Sequence, residues 1–141
     1  TLVVNATENE VDSFFMHMDL PQNIKIFGAQ KNVHPFYARA KIVLNLSRPD
    51  GWIETFGLTV IEAMAYKIPV IVPPVGGIVE VIDDQNTGFA IDSRNIDQVQ
   101  EKLSTLLHNP EVYQSLSLNA FQRLNLFTEQ QFHIQIAKIT S

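Results

Sequence analysis

The chain has no cysteine, which removes disulfides, thiolate metal centres and cysteine nucleophiles in one step. That absence fits a reducing compartment, and a cytoplasmic location is expected, with the inner membrane surface as a further placement for the full-length protein. Basic residues are few, 10 Lys and Arg against 15 Asp and Glu, for a formal net charge of −5, and no basic run occurs. A nucleic-acid footprint needs such a stripe, so DNA and RNA are not expected partners. Long apolar runs are also lacking. Stretches such as Val70 to Val75 fall far short of a spanning helix, and no basic region followed by an apolar block opens the chain. Neither a transmembrane segment nor a signal peptide is expected. G-x-G-x-x-G, Walker and G-x-S-x-G signatures are missing, and Ser47 has no paired base, which excludes the standard dinucleotide, NTP and hydrolase-triad readings. His17, His34, His108 and His133 show no metal-ligand spacing, so no metal site is expected; His34 alone falls near the expected cleft.

What is present is enough apolar material for a core: 45% of the 141 residues are hydrophobic and 18% charged. That is one domain's worth of folded chain. Short β-branched runs alternate with amphipathic stretches. Leu2-Val3-Val4 reads as a strand, and Thr7 to Glu10 as a capping box opening a helix with Val11, Phe14, Phe15 and Met18 on one face. Ile24 to Gly28 reads as a second strand, His34 to Ala40 as a short helix, and Ile42 to Leu46 as a third strand covered on both faces. A helix near Gly57 to Tyr66 turns Leu58, Ile61 and Ala65 inward. Strands at Pro69 to Val72 and Gly88 to Ile91 follow. Three helices close the chain: Ile96, Val99, Leu103, Leu106 and Leu107 mark the first, Asn109-Pro110 breaks it, and Thr128-x-x-Gln131 caps the last. This alternation predicts a Rossmann-like, three-layer α/β/α fold with a mainly parallel sheet. Its ligands sit beyond the carboxyl ends of the strands, which directs attention to Asn45 to Gly57 and Pro73 to Gly77.

The most informative segment is Glu54-Thr55-Phe56-Gly57-Leu58-Thr59-Val60-Ile61-Glu62, in which two carboxylates flank a glycine at a loop-to-helix junction after a strand. Gly57 exposes backbone N–H groups at a helix start, where the dipole favours an anion such as a diphosphate. Glu62, in the second helical turn, can accept hydrogen bonds from ligand hydroxyls, and Glu54 can do the same for a sugar. Spacing alone leaves a plainer reading open, a solvated loop residue and a helix-dipole partner.

The segment does not stand alone. With Ala63-Met64-Ala65, Pro69-Val70-Ile71, Gly76-Gly77-x-x-Glu80 and Thr87-Gly88 in order behind it, the chain from about Ile24 onward resembles the C-terminal half of retaining GT-B glycosyltransferases of the group 1, family 4 class. The resemblance implies that residues 1–141 are a single nucleotide-sugar-binding domain. It makes Glu54 the catalytic carboxylate facing the donor sugar, and Glu62 the acceptor for the ribose hydroxyls. Backbone amides of Phe56, Gly57, Leu58 and Thr59 would line the sugar and diphosphate, Gly28, Ala29 and Gln30 the nucleobase, and Ser47 would complete the donor-binding set. Uracil, guanine and adenine all stay open. The implied reaction moves a sugar from a nucleotide-diphosphate sugar to an acceptor glycan or lipid with retention, without metal or cofactor, in glycan biosynthesis.

Departures from the family pattern shape further expectations. The family's phosphate-binding Arg and Lys lie on a β-α unit that would precede Leu2, so that unit and the acceptor-binding N-terminal domain are expected to lie outside this chain, leaving it inactive alone. Arg48, a lone loop arginine, is given no phosphate role. Lys67 stands where the family has a glycine at a helix end, so a left-handed conformation there costs about 1 kcal/mol. The spacer Arg48 to Ile53 is longer than the commonest family version. Trp52 is read as a loop residue over the sheet, Phe121, Phe127 and Phe132 as core. The apolar face from Thr128 to Ile139 is read as a self-association surface. Two other classes compete: a non-catalytic nucleotide-sugar-binding module, and a GT-B epimerase or phosphorylase.

Overall fold

In the computed structural model, which describes residues 1–51, 53–131 and 133–134, short strands alternate with helices from Leu2 onward. The chain divides into two units, Thr1–Phe36 and Tyr37–Ser141. The first holds β1 (Leu2–Val3), α1 (Glu8–Phe15) and β2 (Ile26–Phe27), with β1 and β2 parallel and Leu2 opposite Ile26. The expected capping box forms: the Thr7 hydroxyl accepts the Glu10 N–H at 3.3 Å, and the Glu10 carboxylate accepts the Thr7 N–H at 2.8 Å. Val11 is buried and Phe15 half-buried, an i, i+4 pair. Phe14 and Met18, expected on that face, are not on it. Phe14 lies on the far side of Val11 from Phe15 around the helix and is 68% exposed, and the helix ends before Met18 is reached.

A short helix, α2 (His34–Tyr37), leads to the second unit. There β3 (Val43–Leu44), β4 (Val70–Val72) and β5 (Gly88–Ala90) form a parallel sheet in the order β3-β4-β5, interleaved with α3 (Leu58–Ala65) and α4 (Ile78–Val81) and followed by α5 (Ile96–His108) and α6 (Pro110–Arg123). The central strand is β4, and its alternation divides the core. Val70 and Val72 pack with Val60, Ala63, Met64, Ile78, Val81 and Ala120 on one face, while Ile71 packs with Phe89, Ile91, Leu106 and Leu116 on the other. Helices thus cover both faces of this sheet, as parallel sheets require.

Three sequence expectations change here. The third strand is covered only in part: Val43 and Ile42 are half-buried against the two clusters, while Leu44 is 39% exposed. In α3 the buried residues are Val60, Ala63 and Met64, whereas Leu58 and Ala65 are exposed and Ile61 is half-buried. Both triplets satisfy a helical period, and the tertiary packing selects the second. Phe121 and Phe127, expected in the core, are exposed at the surface.

Local punctuation holds as expected. Lys67 adopts φ 58° and ends α3 in a Schellman motif, the Ile68 N–H donating to Ala63 O at 3.0 Å and the Lys67 N–H to Met64 O at 2.9 Å. Asn109 ends α5 and caps α6, its side chain accepting the Val112 N–H at 3.2 Å, with Pro110 in the first helical position. The Thr128 hydroxyl accepts the Gln131 N–H at 3.3 Å. Trp52, Phe132 and most of the expected apolar face beyond Thr128 lie outside the described residues. No helix among the described residues is long and apolar enough to cross a membrane.

Candidate donor-binding site

The loops that follow β3, β4 and β5 leave the sheet at the carboxyl ends of its strands; the first of them carries Glu54 and leads into α3, which carries Glu62. Its long spacer is folded back on itself. Asn45 Oδ1 accepts the Ser47 N–H at 3.0 Å, the Gly51 N–H donates to Arg48 O at 3.0 Å, and the Arg48 guanidinium forks onto Asp50 at 3.1 and 3.0 Å. Ser47 is half-buried, and its carbonyl accepts from Ser93 Oγ at 3.5 Å. Arg94, from the loop after β5, reaches Asp50 at 3.4 Å and Asp92 at 2.6 Å. Hydrogen bonds from Arg48 hold the Asp50 carboxyl below its ordinary value, and those from Arg94 bring Asp92 down to about 2. Each arginine is therefore matched by an aspartate, and Arg48 acts in closing the turn.

Glu54 emerges from that turn half-buried, and its Oε1 accepts the N–H groups of Thr55 at 3.1 Å and Phe56 at 3.4 Å. The carboxylate is thereby tied to its own loop. The loop in turn rests on Gly76 and Gly77. A Cβ at Gly76 would lie 2.4 Å from Glu54 O, and one at Gly77 1.8 Å from Thr55 O. Only glycines let these two backbones touch. Gly57 answers to two constraints: its φ of 74° is left-handed, and an added Cβ would meet Ile78 Cγ1 at 2.6 Å.

As N-cap of α3, Gly57 supplies no side-chain hydrogen bond, so among the described residues the first-turn amides of Leu58 and Thr59 are left open to an anion. Phe56 and Leu58, whose side chains are exposed, flank that opening. One turn on, Glu62 Oε2 accepts the Tyr37 hydroxyl at 2.7 Å, and the same hydroxyl lies 3.3 Å from Thr59 O. Burial, and then the Glu62 carboxylate, push the Tyr37 phenol well above its ordinary pKa. Tyr66 stacks on its ring at 5.5 Å and 22°.

The structure thus gathers Glu54, Phe56, Gly57, Leu58, Thr59 and Glu62 around one helix start. Gly28, Ala29 and Gln30 belong to the other unit. There the Gly28 N–H donates to Glu8 Oε1 at 3.0 Å, the Ala29 N–H to Ala6 O at 2.7 Å, and Gln30 Nε2 to Gly28 O at 3.2 Å. Gly28 is closed in by Ala6 O, 2.7 Å from where a Cβ would sit. Sequence reasoning missed Tyr37, which lies 25 residues before Glu62, beyond any local pattern. Among the described residues no group of three or more metal-ligating side chains comes together.

Parallel sheets with helices on both faces, as in this chain, are the architecture of GT-B glycosyltransferases. The chain belongs to the glycosyl transferases group 1 family, whose model matches residues 6–123. It is 31% identical over 104 residues to N-acetyl-alpha-D-glucosaminyl L-malate synthase of Bacillus anthracis, covering 74% of this chain and 26% of that protein. Its fold matches a glycosyltransferase from Rickettsia africae with a TM-score of 0.79 at 24% identity, covering 98% of this chain and 38% of the other. It likewise matches Anabaena HepE, solved in complex with UDP-glucose, with a TM-score of 0.74 at 21% identity, covering 97% and 40%. The chain therefore spans well under half the length of these proteins.

Proposed function

We propose that this chain is the donor-binding part of a retaining, metal-independent glycosyltransferase that moves a sugar from a nucleotide-diphosphate sugar to an acceptor glycan or lipid held elsewhere in the protein, as a cytoplasmic step of glycan biosynthesis. The observation that carries the reading is the start of α3: a left-handed glycine without a side-chain cap, with one carboxylate fixed just before it and another one turn beyond it. In this reading the diphosphate sits on the amides of Gly57, Leu58 and Thr59, where the helix dipole stabilises the charge that grows on the leaving group. Glu62 accepts from the ribose hydroxyls. Glu54, the catalytic carboxylate, faces the donor sugar with Phe56 and Ser47 beside it, and Gly28, Ala29 and Gln30 serve the base. Family membership, and the UDP-glucose held by HepE, support a nucleotide-sugar donor.

A protein-observed NMR titration with UDP, GDP, ADP and their glucose conjugates tests the reading. Saturable shifts centred on residues 56–62 with one base are expected, and no response to any of the six would overturn it. Glu62→Ala removes one charge-assisted hydrogen bond, worth about 1.5 to 3 kcal/mol, and should weaken binding by roughly 10- to 100-fold without unfolding the domain. Unchanged affinity would refute the ribose role.

A further inference from the structure

We infer that Tyr37 is a positioning residue for Glu62, setting the carboxylate that reads the nucleotide's ribose; the inference rests on the donor-binding reading above. Glu62 stands on the exposed face of α3, where a glutamate ordinarily samples several rotamers. Here one of its oxygens is pinned. The Tyr37 hydroxyl donates to Oε2 at 2.7 Å, within the short range of charge-assisted bonds, and lies 3.3 Å from the carbonyl of Thr59, one turn earlier on the same helix. With one proton to give, the phenol donates to the carboxylate, and the Thr59 carbonyl is the weaker, more distant acceptor beside it.

The ring itself is held by Tyr66, which stacks on it from the turn that ends α3, so Glu62 is fixed from both ends of its own helix. The raised phenol pKa keeps the hydroxyl protonated, and so a donor, across the physiological range. Oε1 carries no hydrogen bond among the described residues and is the acceptor presented to a ligand hydroxyl. Order that binding would otherwise impose is therefore already present in the free protein.

The test pairs a substitution with a probe lacking the hydroxyls. Tyr37→Phe keeps the ring and its stacking but removes the donor. Affinities for UDP, GDP and ADP and for their 2′,3′-dideoxy counterparts are measured by NMR titration of wild type, Tyr37→Phe, Glu62→Ala and the double variant, with thermal midpoints alongside. For the base that binds, Tyr37→Phe should weaken the ribonucleotide by about 3- to 10-fold, leave the dideoxy nucleotide unchanged, and add nothing in the Glu62→Ala background. An unchanged ribonucleotide affinity, or an equal loss with both probes, would overturn the positioning role while leaving the donor reading intact. A wild type that binds none of the nucleotides, or binds both forms equally, would overturn the ribose reading and this inference with it.

Discussion

Gly77→Ala isolates the contact between the loop after β4 and the loop that carries Glu54. Gly77 has φ −63° and ψ −22°, ordinary right-handed values, so alanine there meets no backbone penalty. The whole effect is steric. The new methyl would start 1.8 Å from Thr55 O and 2.8 Å from Thr55 C, so the Thr55 carbonyl must retreat by about 1.5 Å to reach van der Waals separation. Because the obstacle is backbone, no rotamer change relieves it. Overpacking of this kind costs about 1 to 3 kcal/mol, and the displaced peptide is the one whose N–H neighbours hold the Glu54 carboxylate.

Gly51→Ala is the matched control, since its Cβ would meet nothing closer than 3.7 Å; its stability should stay level or rise by up to about 1 kcal/mol through a less flexible unfolded chain. Chemical denaturation of the two variants beside wild type measures the difference, and shift changes at Glu54 to Phe56 in NMR spectra report the displacement. Gly77→Ala should lose at least 1 kcal/mol relative to Gly51→Ala, with shifts focused on those residues. Equal stability of the two variants, with the Glu54 loop unmoved, would refute the claim that glycine is required for this approach.

Other perturbations probe elements away from this contact. Lys67 adopts a left-handed conformation costing about 1 kcal/mol, partly offset by its ammonium lying 4.8 Å from the Phe121 ring centroid, so Lys67→Gly should gain about 0.5 kcal/mol more in a Phe121→Ala background than in wild type, measured by denaturation. Asp92 falls to about 2 from an ordinary 3.8 because Arg94 hydrogen-bonds its charged form, so its contribution is present above 3.8 and fades as pH drops through about 2. The gap in thermal midpoint between wild type and Asp92→Asn should accordingly narrow across that interval, and a gap constant with pH would show that the pair does not couple to folding.

Features set by near neighbours were the legible ones. The Thr7 to Glu10 capping box and the Asn109-Pro110 break each depend on a few adjacent residues whose side chains satisfy or terminate a helix, whereas the left-handed Lys67 was legible only through the glycine the family has there. The inward face of α3 was not legible. Nearly every residue from Leu58 to Ala65 is apolar, leaving Thr59 and Glu62 as the only markers of an outer surface, so the periodicity has little angular contrast. That β3 lies at the end of the order β3-β4-β5, with Leu44 exposed, depends on strand order, which periodicity does not encode. The Glu54 to Glu62 element was legible as a site because its glycine and carboxylates are local, whereas the Tyr37 partner of Glu62 is brought in by tertiary packing.

The separation between that element and the Gly76-Gly77 pair has a physical reason in the fold. β4 runs between the two loops, and at its end the chain turns back so that Gly77 opens α4 against Thr55 while Ile78, the first residue of α4, fills the space beside Gly57. Each loop thus excludes a side chain from the other. The two helix starts are held in register by backbone contact, which has far less freedom than contact between side chains. Glu54, tied by its own carboxylate to the Thr55 and Phe56 amides, inherits that rigidity. A substitution at residue 76 or 77 therefore reaches the candidate catalytic carboxylate through one peptide, whereas a Cβ added at Gly51, in the Arg48 to Gly51 turn, meets nothing closer than 3.7 Å. Tolerance to substitution should be high in the turn and low at the glycine pair, although both lie beside the same site.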